Sequence, residues 1–421
     1  MTTELLQQVR VINPINKTDL FCDVLIEDGY IRSVNDKISD IPRETVIRDC
    51  QSLILGPGLV DLYSHSGEPG FEERETLSSL LEAACAGGFT RITLLPDTSP
   101  VIDNPAVVAQ LQQLHKHSHS SPVPILNIWG AITQDVKGET MTELADLTTA
   151  GIVGFADGQA LNNLALVRRV LEYLQPLRKP VAFWCCDRNI SSDGVMREGA
   201  DSIQCGLPGN PVASETSAIA ALLELVAATF TPTHIMRVST ARSVELIADA
   251  KAKGLPITAS TTWMHLLLDT KAINSYNASL NLEPPLGNPK DMMGLRQGVR
   301  EGILDAIAID HSPYTYEEKT VAFAQAPPGA IGLELALPLL WQNLVETGEL
   351  TALELWTALS TNPAECLKQS SSKIAVGEKA ELTLFNPQQS WKVESKNLHS
   401  LSSNTPWLGE ELMGKVVEVW C

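Results

Sequence analysis

The sequence predicts an α/β protein, a (β/α)₈ TIM-type barrel carrying a small β-sandwich domain built from both chain ends. Three observations lead there. Eight short apolar runs recur through the middle of the chain, each followed by a loop and usually by a helical pattern. Both ends of the chain are strand-rich. The composition, 44% apolar and 19% charged over 421 residues, supports a large core and excludes disorder, collagen and coiled coil.

The elements follow in order. Arg10-Val-Ile, Asp23-Val-Leu-Ile, Tyr30-Ile-Arg-Ser-Val and Thr45-Val-Ile-Arg read as strands between turn signals such as Asp28-Gly29. The buried runs are Leu59-Val-Asp-Leu, Ile92-Thr-Leu-Leu, Ile125-Leu-Asn-Ile, Ile152-Val-Gly-Phe, Val181-Ala-Phe-Trp, His234-Ile-Met-Arg-Val, Ile257-Thr-Ala and Ala306-Ile-Ala-Ile. Helical patterns include residues 77–86 and 243–252. Ala380-Glu-Leu-Thr-Leu-Phe and Lys415-Val-Val-Glu-Val-Trp close the chain as strands, punctuated by Gly377 and Asn386-Pro387. The expected domains are 1–55 and 366–421, the two halves of the β domain, and 56–365, the barrel. A doubly wound sheet is the alternative architecture.

A net charge of −19 argues against nucleic acid or an anionic membrane as the main partner. No apolar run approaches ~20 residues, so no spanning helix is expected. The first residues lack a basic segment followed by an apolar stretch, so no signal peptide is expected. Eight scattered cysteines give no disulfide framework, and a reduced cytoplasm is the expected location.

Active sites of such barrels lie at the strand C-terminal ends. Strand one ends Asp61-Leu-Tyr-Ser-His65 and strand eight ends Ile309-Asp-His-Ser-Pro. There the chain resembles the dihydroorotases of the amidohydrolase superfamily. The resemblance is carried by Gly56-Pro-Gly-Leu-Val-Asp-Leu-Tyr-Ser-His-Ser-Gly-Glu-Pro-Gly, Leu95-Pro-Asp-Thr-Ser-Pro-Val-Ile-Asp-Asn and Gly206-Leu-Pro-Gly-Asn-Pro. It continues in Val238-Ser-Thr-Ala-Arg-Ser-Val-Glu-Leu-Ile, Pro328-Gly-Ala-Ile-Gly-Leu-Glu-Leu-Ala-Leu and Asn404-Thr-Pro-Trp-Leu-Gly, covering essentially the whole chain in order.

The resemblance implies a zinc pair that turns water into hydroxide, with a strand-eight Asp handling the proton. Several imidazoles and carboxylates must converge to hold such a pair. Here the ligand positions are altered. Tyr63 stands for the first His of His-x-His, Trp184 for the strand-five His and Arg237 for the strand-six His. An indole has no lone pair to coordinate, and a guanidinium repels a dication. His65, Asp157 and Asp310 are retained as a vestigial ligand set, with Asp310 the vestigial general base.

The implied substrate-binding positions differ too. Gly67 replaces an Arg, Asp97 an Asn, Glu283 an Asn and Gly287 an Arg, so an anionic substrate would meet two acids and no guanidinium from these positions. Losing metal activation weighs more, because lowering the pKa of water from ~15.7 to ~7 supplies up to ~12 kcal/mol.

Blander readings stand beside these. His65 is either a residual ligand or a hydrogen-bonded histidine of the barrel mouth. Asp310 either keeps its proton role or pairs with Arg237 in the vacated metal site. Asp157 is either a ligand or a turn-forming Asx before Gly158. His115, His117 and His119 read as a solvated loop, and Cys185-Cys186 as buried packing. The resemblance implies a dihydroorotase-like protein of pyrimidine biosynthesis. Its first form is a non-catalytic chain with no cofactor, a homo-oligomer or a partner of aspartate carbamoyltransferase. The alternative is an active, zinc-dependent hydrolase of a cyclic amide.

Overall fold

The computed structural model describes residues 3–118, 122–160 and 163–421. Eight parallel strands follow one another around the barrel. Strands one to four are Leu59–Val60, Phe89–Leu94, Ile125–Gly130 and Gly154–Phe155. Strands five to eight are Val181–Trp184, Thr233–Met236, Ile257–Thr262 and Ala306–Ala308. Backbone bonds beyond the last and first strands, from Asp310 N to the Tyr63 carbonyl (3.1 Å) and from His65 N to that of His311 (2.8 Å), draw the ends of the sheet together.

Period-two alternation sorts the strand side chains. Phe183 and Cys185 face the helices, in the main core with Phe89, Ile92 and Ile235. Ala182 and Trp184 face the lumen, with Val60, Tyr63, Trp129, Met236 and Ala308. Helix Leu77–Ala86 starts on a Thr76 capping box and stops at Gly87. Helix Ala241–Ala252 is capped by Thr240, whose side chain accepts from Ser243 N.

Both chain ends enter one seven-stranded sheet, in the order Glu411–Trp420, Leu382–Lys392, Ile54–Pro57, Thr3–Asn13, Thr18–Glu27, Tyr30–Asn35, with Val46–Asp49 beside Thr3–Asn13. Asp28 and Gly29 both adopt positive φ (50° and 79°), the twist a tight hairpin demands. Asn386-Pro387 does not end its strand. The strand continues to Lys392 through a shift of register between Asn386 and Ser390, where the absence of a proline N–H is tolerated.

One further expectation is corrected, and one helix bears on the expected absence of a spanning segment. Helix Val212–Thr229 has the length and apolarity to cross a membrane, with mean hydropathy 1.4. It packs as a barrel helix against Leu164–Leu174 and Ala241–Ala252, and its buried Glu215 accepts from Ser239 N and Ser243 Oγ. His115 lies in the last turn of helix Pro105–Lys116 and His117 caps it, bonding the Pro124 and Gln113 carbonyls, so these two do not form a loop, while His119 lies outside the described residues.

Candidate functional site: a barrel mouth wired by a guanidinium

The three replaced ligand positions form one unit. Arg237 grips Asp310 with two bonds, Nε to Oδ2 (2.8 Å) and Nη2 to Oδ1 (2.6 Å). Its Nη1 donates to the Gly158 carbonyl at 2.7 Å. The Tyr63 and Trp184 rings flank it, with Cζ 5.7 and 5.3 Å from their centroids, within cation–π reach. Tyr63 holds both partners' backbones. Its phenol oxygen accepts Arg237 N–H at 3.1 Å and its carbonyl accepts Asp310 N–H at 3.1 Å. Below, the phenol meets Ser260 Oγ (3.0 Å), which meets His234 Nε2 (2.9 Å), continuing a polar chain down the lumen.

His65 completes the cluster. Its Nδ1 donates to Asp97 Oδ2 at 2.6 Å. Two groups compete for Nε2, with Arg237 Nη2 at 3.1 Å and Asp310 Oδ1 at 3.6 Å. Burial opposes charge on this ring, but the Asp97 and Asp310 carboxylates outweigh it and lift its pKa to about 9. The protonated ring turns Nε2–H toward Asp310, whereas the neutral ring accepts from Arg237. Burial likewise works against an ionised Asp310, and Arg237 with His65 overrides it, holding the acid at about 2. At neutral pH the mouth thus holds two cations and two anions in mutual contact.

Asp157 is retained but not in this cluster. Its Oδ1 accepts from Ile132 N (2.7 Å) and Thr133 N (3.0 Å), and its Oδ2 from Thr133 Oγ1 (2.6 Å). It pins a neighbouring loop, so neither the ligand reading nor the local Asx turn describes it. Burial pushes its acid up to about 6. A zinc pair does not fit these residues. The surviving imidazole gives its Nδ1 proton to Asp97, the surviving carboxylate accepts from Arg237, and the guanidinium also stands 3.1 Å from His65 Nε2. Among the described residues no group of three or more His, Cys, Asp or Glu could hold a metal ion.

The implied substrate positions are rebuilt as well. A Cβ at Gly67 would stand 2.3 Å from the Glu75 carbonyl oxygen and 2.5 Å from that of Phe71. At Gly287 it would stand 2.5 Å from Asp291 Cβ. Backbone has closed over the first position and a helix side chain over the second, so neither is an empty socket for arginine. The two acids are not free to repel an anion, which corrects the sequence reading. Asp97 is neutralised by His65, and Glu283 by Arg188, whose Nη1 and Nη2 both bond it (Nη2 to Oε2, 3.1 Å). Sequence reasoning missed Arg188, which also stacks on Trp184 at 4.7 Å. Its signal was its place at the start of a short helix capped by Asp187, four residues past strand five. Above the cluster lies an open cavity lined also by His265, Ser312 and Tyr314.

The eight-stranded barrel with its site at the strand ends is of the amidohydrolase type. A profile described as Dihydro-orotase-like matches residues 52–243, and one described as Amidohydrolase family matches residues 213–421. A probable dihydroorotase-like protein of Synechocystis sp. is 42% identical, covering 99% of each chain. A dihydroorotase of Syntrophus aciditrophicus is 38% identical over 98% of this chain and 96% of its own. The solved L-hydantoinase (dihydropyrimidinase) of Arthrobacter aurescens shares the fold, with TM-score 0.84 at 20% identity over 99% of this chain and 94% of that one. The chain belongs to the dihydroorotase-like family of amidohydrolases.

Proposed function

We propose that this chain is a non-catalytic dihydroorotase-like protein of pyrimidine biosynthesis that needs no metal, acts in the cytoplasm and serves as a structural partner of aspartate carbamoyltransferase. The observation that carries the loss of catalysis is the bidentate Arg237–Asp310 pair. The acid that would take a proton from water is held ionised at about 2 by a permanent cation, far below the range useful to a general base at neutral pH. The three replacements support one another, with Tyr63 orienting the Arg237 backbone and Trp184 walling its side chain. A site merely decaying would not acquire matched partners at each lost ligand position.

The aspartate carbamoyltransferase partnership rests on the family resemblance. A scaffold role suits it, because the rebuilt mouth preserves a closed, well-packed barrel. The test has two arms. Purified protein supplied with zinc is assayed for dihydroorotate hydrolysis against an Asp310→Ala control, and no difference between them is expected. The same protein is mixed with aspartate carbamoyltransferase from its own organism, and co-elution with raised transferase activity is expected. Turnover above the control would overturn the first half of the reading, and separate elution without activation the second.

A further inference from the structure

At the strand N-terminal ends, opposite the mouth, an open depression lies among three turns. Two precede strands four and five, and the third follows helix Asn362–Cys366. Arg178, Lys179 and Lys368 line it, and no Asp or Glu does. In a chain of net charge −19, a group of cations without acids stands apart. Among the described residues none of the three has a carboxylate partner. Lys368 Nζ donates to the Arg178 carbonyl at 2.9 Å, and Lys179 Nζ to that of Ile152 at 2.7 Å. An ammonium has three donors, so both lysines keep donors to spare. Desolvation and the neighbouring Arg178 hold the Lys368 amine below its ordinary range, as uncompensated like charge does.

The backbone carries these cations where a glycine would be more relaxed. Arg178 and Lys368 are left-handed, with φ of 54° and 55°. Lys368 stands just past the C-cap of its helix, the usual place of a glycine. An orphaned donor belongs to the same depression. Arg91 only donates, so Gln369 turns its Oε1 to Arg91 Nη1 (3.0 Å) and its Nε2 to Asn127 Oδ1 (2.8 Å). Asn127 Nδ2 is then the free end of the chain. Asn127 lines the depression and is 9% exposed, and its buried Nδ2 has no hydrogen-bond partner. Carbonyls that would repel an anion are already covered, that of Ala150 by Gln112 Nε2 (3.1 Å) and those of Ile152 and Arg178 by the two lysines.

We propose that this depression is a binding site for a phosphate monoester, with Arg178, Lys179 and Lys368 on the phosphoryl oxygens and half-buried Leu126 and Leu177 beside the organic group. A phosphate monoester brings nearly two negative charges and three acceptor oxygens at neutral pH, which suits three cations and a spare amide. A carboxylate brings a single charge. The site is separate from the barrel mouth, and its occupation does not depend on the reading of the mouth as inactive.

The test is calorimetric titration of the full-length protein with phenyl phosphate, inorganic phosphate and benzoate, at an ionic strength held constant with chloride. Phenyl phosphate is expected to bind saturably at one site per chain, more tightly than either of the others. Arg178→Gly and Lys368→Gly each remove a cation while relaxing left-handed backbone, so both are expected to fold. Each is expected to weaken phenyl phosphate binding about tenfold, the worth of one charge-assisted contact. Phenyl phosphate is expected to raise the melting temperature of the parent and not that of the double variant. Cations that only cap helix ends predict variants that bind as the parent does, and that result would overturn the proposal. So would an absence of saturable binding, equal affinity for benzoate, or inorganic phosphate bound as tightly as the ester.

Discussion

Two buried arginines hold carboxylates in the same bidentate way, and they differ in the backbone beneath them. At the seam between barrel and β sheet, Arg91 grips Glu381 through Nε (2.7 Å) and Nη2 (2.8 Å), and its Nη1 bonds Gln369 Oε1 and the Ser370 carbonyl. Arg91 sits inside strand Phe89–Leu94, paired on both sides, and is not among the residues with positive φ. At the mouth, Arg237 and Asp310 both adopt left-handed backbone with φ of 54°. Non-glycine residues rarely take that conformation, at a cost of order 1–3 kcal/mol each. The seam pair is scaffold on backbone of ordinary φ. The mouth pair occupies a geometry that places side chains over the barrel axis, as an active site requires, and has filled it with an ion pair.

The largest expected effect tests whether both pairs now do the same structural work. Arg91→Met and Arg237→Met each leave a buried carboxylate without its cation, which costs about 3–5 kcal/mol. Urea unfolding of the two variants is expected to show comparable losses. A loss below about 1 kcal/mol for Arg237→Met, with Arg91→Met in full effect, would break the likeness and return the mouth to a loosely held site.

A second test asks what the mouth can still become. Elemental analysis of the parent protein is expected to find less than one equivalent of tightly held zinc. The triple variant Tyr63→His, Trp184→His, Arg237→His supplies imidazoles beside His65 and frees Asp310, and is expected to bind zinc measurably. Asp157 is expected to stay with Thr133, so Asp157→Asn should leave zinc binding by the triple variant unchanged. Adding Gly67→Arg should destabilise rather than restore substrate binding, because its Cβ has no room beside the Glu75 and Phe71 carbonyls. Two tightly bound zinc ions in the parent would refute the account of the mouth.

How much of this could be read in advance divides along the same line. The eight strands were legible because buried β-branched runs recur at barrel spacing, and helix Leu77–Ala86 because its apolar face and Gly87 mark its extent. The replaced ligands Tyr63, Trp184 and Arg237 were legible because each stands inside a recognisable block. The Arg237–Asp310 pair was one of two open readings. Its place on left-handed backbone, the crossing from Arg188 to Glu283 and the Tyr63–Ser260–His234 chain were not legible. Those contacts join residues far apart in sequence, and no periodicity encodes them. Asp157 shows the limit most sharply, since one position at a strand end separates an inward ligand from a loop anchor.

The pH dependence sharpens the comparison, because the mouth pair carries a titrating imidazole, His65, in direct contact. His65 is raised from 6.5 to about 9, so its stabilising contribution is complete below pH 6.5 and is lost as pH rises through 9. Asp310 is depressed to about 2, so its contribution is present above pH 3.8 and is lost as pH falls through 2. Half-buried Lys319, lowered to about 7 by desolvation, works oppositely to His65 between pH 7 and 10.5. The useful measurement is therefore the difference in unfolding free energy between the parent and His65→Gln, which is expected to shrink between pH 6.5 and 9. A flat difference would mean that His65 is neutral in the folded protein and that Arg237 alone satisfies its Nε2.

The smallest expected effect isolates the residue that holds the strained geometry. Tyr63→Phe keeps the ring beside the Arg237 guanidinium and the carbonyl that accepts Asp310 N–H, and removes only the phenol oxygen. Arg237 N–H then loses its acceptor in a buried place, at a cost of about 1–3 kcal/mol. Ser260 keeps His234 as a partner, so the lower part of the chain survives. A purely packing role for Tyr63 predicts almost no change, because the apolar ring is unaltered. A positioning role predicts a further sign, since a loosened Arg237 backbone holds Asp310 less tightly. The Asp310 carboxylate, followed by NMR in the variant, should then titrate at a higher pH than in the parent. An unchanged titration together with unchanged stability would show that the left-handed turn at Arg237 is held by the side-chain ion pair and not by the phenol beneath it.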